Sequence, residues 1–451
     1  MSTISDILAG IEAGRKQFEY LMSEEAQEAS DFEYSEKHIY YDSWSEAGTK
    51  SSENGNELVL GDNLKYMRRL IRLGYSGRFR LLYLDPPFFT KAKYNATVDV
   101  RDNEGKLHKV HHLAYDDTFD RNLEYYVENM TTRLLLMKEL LADDGTIWIH
   151  LDWHSSHYIK LIMDELMGEK NFINEIIWSY KSGGSGKRHF ARKHDTILVY
   201  SKTGKYYLDV PTEKSYNRGY KPYHFKGVEE YVDEVGWYTL VNMKDVWTVD
   251  MVGRTSAERT GYATQKPLNL MKRIINAASE PGDLVGDFFG GSGSFLEAAE
   301  QLERSWIGCD IEELATALTK KRLDLIEANY TYRAEDTMTL RLGKVGLKLK
   351  QKDELENGKC LFNYSIISFE PDIEIGYIQI NDRKFIQDAL TNDTMQLVDY
   401  VMIDPDYRGA FKCEIVAEKD FDNIRFLSRG NAALIVVDVF GKEYFVRTDN
   451  E

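Results

Sequence analysis

The stretch from residue 283 to residue 310 constrains this chain more than any other. A short apolar strand over 283–287 runs into Phe288-Phe289-Gly290-Gly291-Ser292-Gly293; a helix over 294–302 and a second strand over 305–310 follow. Strand, glycine turn, helix and strand in that order make one unit of a mostly parallel α/β sheet. The glycines let backbone approach a ligand closely, and the helix behind them points its free N–H groups at it. Asp310 ends the second strand 23 residues after Asp287, a usual separation for a carboxylate that accepts from ribose hydroxyls. Ser294-Phe295-Leu296 follow Gly293, so the third glycine of a dinucleotide fingerprint is missing. That argues against NAD and favours S-adenosylmethionine, with a ligand-free structural turn as the alternative.

A second feature follows a buried strand over 79–84. Asp85-Pro86-Pro87-Phe88 stops the strand at once, because both prolines lack an N–H and fix φ near −65°. The stiff corner holds two acceptors, the Asp85 carboxylate and the Pro86 carbonyl, at the edge of the sheet where α/β proteins bind ligands. Such a pair suits an amino group with two N–H donors. Accepting both hydrogens draws a planar exocyclic nitrogen toward tetrahedral geometry and frees its lone pair, and Phe88 offers a flat face for a base. A plain strand-ending turn is the competing reading.

At 451 residues the chain is about three domains long at roughly 150 residues each. Residues 1–55 read as an acidic, partly helical extension, since the first sixty residues hold 13 acids against 4 bases. The polar run over 49–56 reads as a linker. The α/β pattern then fills 56–180, with a strand over 58–60, helices over 64–73 and 124–141, and a strand over 146–151. It resumes over 261–335 after a basic insert, 181–260, and a small β-rich domain is expected over 336–451, with strand-like runs at 364–369, 373–380 and 433–440. Between 181 and 226 there are 11 bases and 3 acids, interleaved with tyrosines. This local patch is what a polyanion partner needs in a chain of net charge −17. A merely solvated basic face is the other reading. The three cysteines, Cys309, Cys360 and Cys413, are too few and scattered for a disulfide framework or a zinc site. With no apolar run of roughly 18 residues, a cytoplasmic protein without a membrane span is expected.

Together these segments resemble the β-class amino-methyltransferases of DNA, most of all the modification subunits of type III restriction systems. Asp85-Pro86-Pro87-Phe88 matches the catalytic motif of that family and residues 287–293 its cofactor loop, in the β-class order of catalytic motif first. Tyr262-Ala263-Thr264-Gln265-Lys266-Pro267 resembles its Pro-Thr-Gln-Lys-Pro segment, with Ala263 where proline is usual. Gly61-Asp62-Asn63 resembles the short segment that lines the same pocket, and the strands over 174–178 and 194–202 also match. The resemblance covers about 57–335. It implies a permuted Rossmann-like fold with an inserted DNA-recognition region, and S-adenosylmethionine as cofactor. It implies double-stranded DNA as substrate, and a restriction or helicase subunit and a second copy of the chain as partners. By residue, Asp85 accepts from the target amine, Pro86 and Pro87 shape the corner, and Phe88 stacks where tyrosine is commoner. Asp62, Asp287, Phe288, Gly290, Gly291, Gly293 and Asp310 form the cofactor pocket, and Lys266 reaches the methionine carboxylate. The loop from Lys181 through Lys187, Arg188, Arg192 and Lys193 contacts DNA.

In these families an initial aspartate goes with adenine N6 and an initial serine with cytosine N4, so adenine is the expected base and cytosine N4 the alternative. Ring-carbon methylation is set aside, since no cysteine follows a proline. Residues 181–188 lack the Gly-Lys-Ser/Thr ending of a phosphate loop. His111, His112, His150, His154 and His157 read as surface or loop histidines rather than metal ligands, and Asp404-Pro405-Asp406-Tyr407 as a turn. A non-catalytic DNA-binding subunit and an RNA methyltransferase are the remaining functional alternatives.

Overall fold

The structure, a computed structural model, describes residues 3–23, 34–39, 55–119, 122–181, 187–253, 255–335, 343–355, 358–409, 411–418 and 420–448. The loop read over 182–186 and most of the linker read over 49–56 lie outside these residues.

Helix α1 (Thr3–Met22) leads to β1 (Tyr34–Ile39), β2 (Glu57–Leu60), α2 (Asn63–Arg72) and β3 (Phe79–Leu84). A hairpin of β4 (Lys93–Arg101) and β5 (Leu107–Asp116) precedes α3 (Leu123–Leu140), which passes straight into β6 (Leu141–Leu151). After α4 (Ser156–Met163) come β7 (Phe172–Ser179) and β8 (His194–Ser201). A small module follows, β9 (Thr212–Tyr216), β10 (Tyr231–Val232) and β11 (Trp237–Asn242), and then the edge strand β12 (Val246–Thr248). The chain returns through α5 (Leu268–Ala278), β13 (Leu284–Asp287), α6 (Ser294–Gln301), β14 (Ser305–Asp310), α7 (Glu313–Asp324) and β15 (Tyr330–Glu335). The C-terminal part holds β16 (Lys344–Glu354), β17 (Cys360–Glu370), α8 (Ile380–Asn392), β18 (Val398–Asp404), β19 (Lys412–Cys413), β20 (Ile415–Ala417), β21 (Ile424–Ser428), β22 (Ala433–Asp438) and β23 (Glu443–Arg447).

One sheet of eleven strands carries the fold, in the order β12-β7-β8-β6-β3-β13-β14-β2-β15-β1-β19. From β6 to β15 all neighbours are parallel, while β8 runs antiparallel to both β6 and β7. This is the α/β methyltransferase-type sheet expected from the sequence. It is permuted in the sense that β3, with Asp-Pro-Pro-Phe behind it, comes before the glycine-loop strand β13. Because β2, β3, β13 and β14 are parallel and adjacent, their carboxyl ends share one edge. The chain fills β3 before β13 and β14, so the strand order reverses there, and a ligand crevice opens at such a point.

The parallel strands read as continuous apolar runs because both faces are covered. One face packs α5 and α6 through Leu270, Ile274, Phe295 and Leu296. The other packs α1, α2, α3 and α4 through Ile11, Met67, Met130 and Ile159. The amino-terminal helix docks closely: a Cβ on Gly10 or Gly14 would lie 2.6 Å from atoms of α3. The C-terminal strands form two small sheets, β16-β17-β21 and β20-β18-β22-β23. Tyr400, Met402, Ile435 and Val437 of the second extend the core of the large sheet. A third cluster joins the β4–β5 hairpin, Tyr262, Leu314 of α7 and the C-terminal strands.

Two sequence readings are corrected. The run over 373–380 is a short 3-10 turn, Ile375–Tyr377, leading into α8; its apolar residues alternate as in a strand but here pack onto the hairpin. His150 is not on the surface: it is fully buried in β6. The hairpin itself had no counterpart in the sequence reading.

Candidate active site

Asp85 begins one residue after β3 ends, and the prolines carry the chain outward over α3, where Tyr126 donates its hydroxyl to the Pro87 carbonyl at 3.1 Å. The turn beyond is held by one buried carboxylate. Asp117 accepts from Phe89 N (2.9 Å), Thr90 N (2.8 Å) and the Thr90 hydroxyl (2.6 Å), and these bonds fix a backbone in which Phe89 has φ of +60°. Burial raises the Asp117 pKa above the usual carboxylate range, although the three donors oppose it.

The Phe88 ring lies parallel to the His150 ring, with centroids 6.3 Å apart and planes at 15°. His150 Nδ1 is 3.1 Å from the Tyr83 hydroxyl and Nε2 is 3.2 Å from Asp195 Oδ2. Asp195 Oδ1 accepts from the Tyr180 hydroxyl at 3.0 Å. Phe88 is thus backed by a buried polar network reaching three strands. Its one signal in the chain is a histidine inside the otherwise apolar run 147–151 of β6.

Lys266 follows a left-handed Thr264 (φ +61°), and its ammonium donates to Asp85 Oδ2 and lies 5.6 Å from the centre of the Phe88 ring. In this state it is paired with the motif aspartate, where the sequence reading had sent it to a cofactor carboxylate. Asp85 Oδ1 is buried and has no hydrogen-bond partner among the described residues.

The glycine loop is tied to β14. Gly291 N donates to Asp310 Oδ2 at 2.7 Å, and Asp310 Oδ1 accepts from Glu312 N at 2.9 Å. Gly293 has φ of +75° and a Cβ there would meet Thr319 at 2.6 Å, so only glycine fits that position. The Phe288 ring turns into the core against Phe79, and its carbonyl accepts from Asn63 Nδ2 at 2.8 Å. Asp62 caps α2 by accepting from Leu64 N at 2.9 Å. Arg133 of α3, partly buried, donates to Asn63 Oδ1 at 2.7 Å and lies 3.4 Å from Asp62 Oδ1.

These pieces enclose one cavity of about 220 Å³. Its walls include Asp62, Asp85, Phe88, Tyr115, Tyr262, Gly291, Asp310 and Arg133. A smaller pocket adjoins it around Asp85, Lys266, Asp287 and Ser294, whose buried hydroxyl lacks a partner among the described residues. Five carboxylates, Asp62, Asp85, Asp287, Asp310 and Glu312, line the two. Burial, with the charges of Asp85 and Asp310 adding, pushes Asp287 up to about 8, and burial with the Asp310 charge pushes Glu312 up to about 7. The donor set fits S-adenosylmethionine: acceptors surround a ligand that brings a cation, and two buried polar atoms await partners. Lys181, Lys187, Arg188, Arg192 and Lys193 are not part of this cavity. They lie on the segment joining β7 to β8, which leaves the sheet at the same edge. Among the described residues no group of three or more His, Cys, Asp or Glu could hold a metal ion.

Residues 79–321 match the DNA methylase family model. The type II methyltransferase M.EcaI of Enterobacter cloacae is 33% identical over 59% of this chain and 69% of its own length. The Mod subunit of the type III restriction-modification enzyme EcoP15I of Escherichia coli is 27% identical over 34% of this chain and 26% of that subunit. Among solved structures, the PvuII DNA methyltransferase (cytosine-N4-specific) is similar at 18% identity with a TM-score of 0.41, over 59% of this chain and 86% of that one. The family match spans β3 and its Asp-Pro-Pro-Phe corner, the glycine loop and Asp310, the residues that wall the central cavity, and the chain belongs to the N6/N4 DNA methylase family: it is an S-adenosylmethionine-dependent DNA methyltransferase.

Proposed function

We propose that the chain methylates the exocyclic N6 of adenine in double-stranded DNA, at a base turned out of the duplex into the cavity beside Phe88. The observation that carries the amine chemistry is Asp85 Oδ1, buried and without a partner among the described residues, on a residue that walls the cavity with the glycine loop, and the initial aspartate of the motif supports adenine as the base. That oxygen is an acceptor in want of a donor. Asp85 and the Pro86 carbonyl each accept one hydrogen of the target amine, which localises the nitrogen lone pair. Phe88 stacks on the base, and His150 keeps the Phe88 ring in its plane. Turning the base out costs a few kcal/mol, offset by these contacts.

Asp310 and Glu312 beyond β14, the turn of Gly290, Gly291 and Gly293, whose lack of side chains lets the ligand come close, and Asp62 with Arg133 hold the cofactor. S-adenosylmethionine, when bound, supplies a methyl group on a positively charged sulfur. Asp287 sits beneath the loop, protonated in the free protein, where a nearby cation favours its ionised form. Lys266 neutralises Asp85 until the amine arrives and then turns aside. Lys181, Lys187, Arg188, Arg192 and Lys193, with the β9–β11 module, make the phosphate and base-edge contacts. The likeness to the EcoP15I Mod subunit supports a restriction subunit as partner.

The test is to incubate the protein and Asp85→Ala with methyl-labelled S-adenosylmethionine and unmethylated DNA, digest to nucleosides and identify the labelled one by mass spectrometry. N6-methyladenine that vanishes in the variant is the expected result. N4-methylcytosine would keep the amine chemistry and overturn the choice of base. Label in RNA alone would overturn DNA as the substrate.

A further inference from the structure

The segment between β7 and β8 carries a side chain that the chemistry above leaves unused. Phe190 is 97% exposed, more than any other large apolar side chain among the described residues. A single exposed apolar residue is ordinary; the setting of this one is not. Its neighbours Lys187, Arg188, His189, Arg192 and Lys193 include no acid, so the phenyl group is presented from a wholly basic segment in an acidic chain.

The segment is also fastened to the target side of the cavity. Tyr180 N donates to the Lys193 carbonyl at 3.1 Å, which closes its base. Asp195, just beyond, is bonded to His150, and the His150 ring stacks on Phe88. On the other side the Arg192 guanidinium covers the Trp153 ring at 3.9 Å, three residues beyond His150. Five residues separate Asp195 from Phe190, a reach of at most about 17 Å for extended chain. The exposed aromatics Tyr216, Tyr220, Tyr223 and Phe225 belong to the β9–β11 module, whose strands pair only with one another among the described residues.

We propose that Phe190 is the wedge that enters the DNA stack when the target base leaves it. A base turned out of a duplex leaves a gap between its neighbours, and an apolar side chain inserted there keeps the flanking pairs apart and the base from returning. The cations around Phe190 grip the phosphates on either side, and Arg192 stiffens the segment against Trp153. This inference rests on the proposed methylation of a turned-out base.

The test compares wild type, Phe190→Ala and Phe190→Leu in single-turnover methylation of two duplexes carrying the site this protein methylates. In one the target base is paired; in the other it faces an abasic position and is already free to turn out. Because unpairing costs a few kcal/mol, Phe190→Ala should be about tenfold or more slower on the paired duplex and within about twofold of wild type on the other. Phe190→Leu should stay close to wild type on both. An equal loss on both duplexes, or none on the paired one, overturns the wedge. The wild-type reactions identify the methylated base independently, so failure of the adenine assignment shows there and not in the Phe190 comparison.

Discussion

The Lys266 ammonium is bonded to one oxygen of Asp85 while the other oxygen, buried, has no partner among the described residues. The motif aspartate is therefore half satisfied, with one oxygen paired to a protein cation and the other unpaired among the described residues. The ammonium offers the same N–H donor that a target amine would bring, so it occupies a substrate-like place beside the motif aspartate.

That pairing is testable by stability. Lys266→Met leaves a mostly buried carboxylate without its counter-charge, which costs about 3 kcal/mol when such a pair is broken on one side. Asp85→Asn combined with Lys266→Met removes both charges and should recover most of the loss. Denaturant unfolding of wild type, Lys266→Met, Asp85→Asn and the double variant decides it; purely additive losses would show that the two residues do not stabilise one another.

The carboxylates around the cofactor cavity predict a pH dependence. Asp287 at about 8 and Glu312 at about 7 hold protons in the folded protein that the unfolded chain releases near pH 4. Their contribution to stability is full below that pH and is lost as the pH rises through 7 and 8. Free protein should therefore lose stability from pH 5 to pH 9. A bound sulfonium favours the ionised forms, so S-adenosylmethionine should raise Tm more at pH 9 than at pH 6. S-adenosylhomocysteine, uncharged at sulfur, should show a smaller change. Identical pH trends for the two ligands would contradict this account.

The loop glycines separate fold from ligand. At Gly293 a side chain meets both a left-handed backbone, about 1–2 kcal/mol of strain, and Thr319. Gly293→Ala should lower Tm and weaken cofactor binding together. At Gly290 φ is not positive and the nearest atom to a new Cβ is Cys309 O at 3.5 Å. Gly290→Ala should keep the wild-type Tm yet bind S-adenosylmethionine about tenfold or more weakly, because the space that it fills is the ligand's. Calorimetric titration of both variants checks this, and unchanged affinity in Gly290→Ala would move the cofactor away from the loop.

His150→Leu keeps the volume behind Phe88 and deletes two polar contacts, leaving Asp195 Oδ2 and the Tyr83 hydroxyl without that partner. A loss of about 2–4 kcal/mol is expected from two unsatisfied buried groups. KM for DNA should rise more than kcat falls, since Phe88 loses its fixed plane but Asp85 is untouched. His150→Gln, able to keep one contact, should recover part of both. A fall in kcat at constant KM would instead place His150 nearer the chemistry.

Much of this fold was legible in the chain itself. Unbroken apolar runs ending at Leu84, Asp287 and Asp310 read as parallel strands because such strands are covered on both faces, and prolines and glycines mark the corners that follow. Their order gave the permuted arrangement, and Asp85 and the glycine loop could be marked before their positions were known. Other features depended on what met what in space. The strand over 373–380 failed because its alternation is equally served by a turn against the hairpin. His150 was misread since, in a strand buried on both sides, one polar residue gives no sign of which neighbour satisfies it. Lys266 matched a motif, yet a four-carbon stem reaches several acceptors, and only the packed site selects Asp85. Local sequence thus determined strands, corners and the loop through short-range backbone sterics. Tertiary structure alone decided the partners of the buried polar groups, because those lie tens to hundreds of residues away and are chosen by the burial that makes an unpaired group costly.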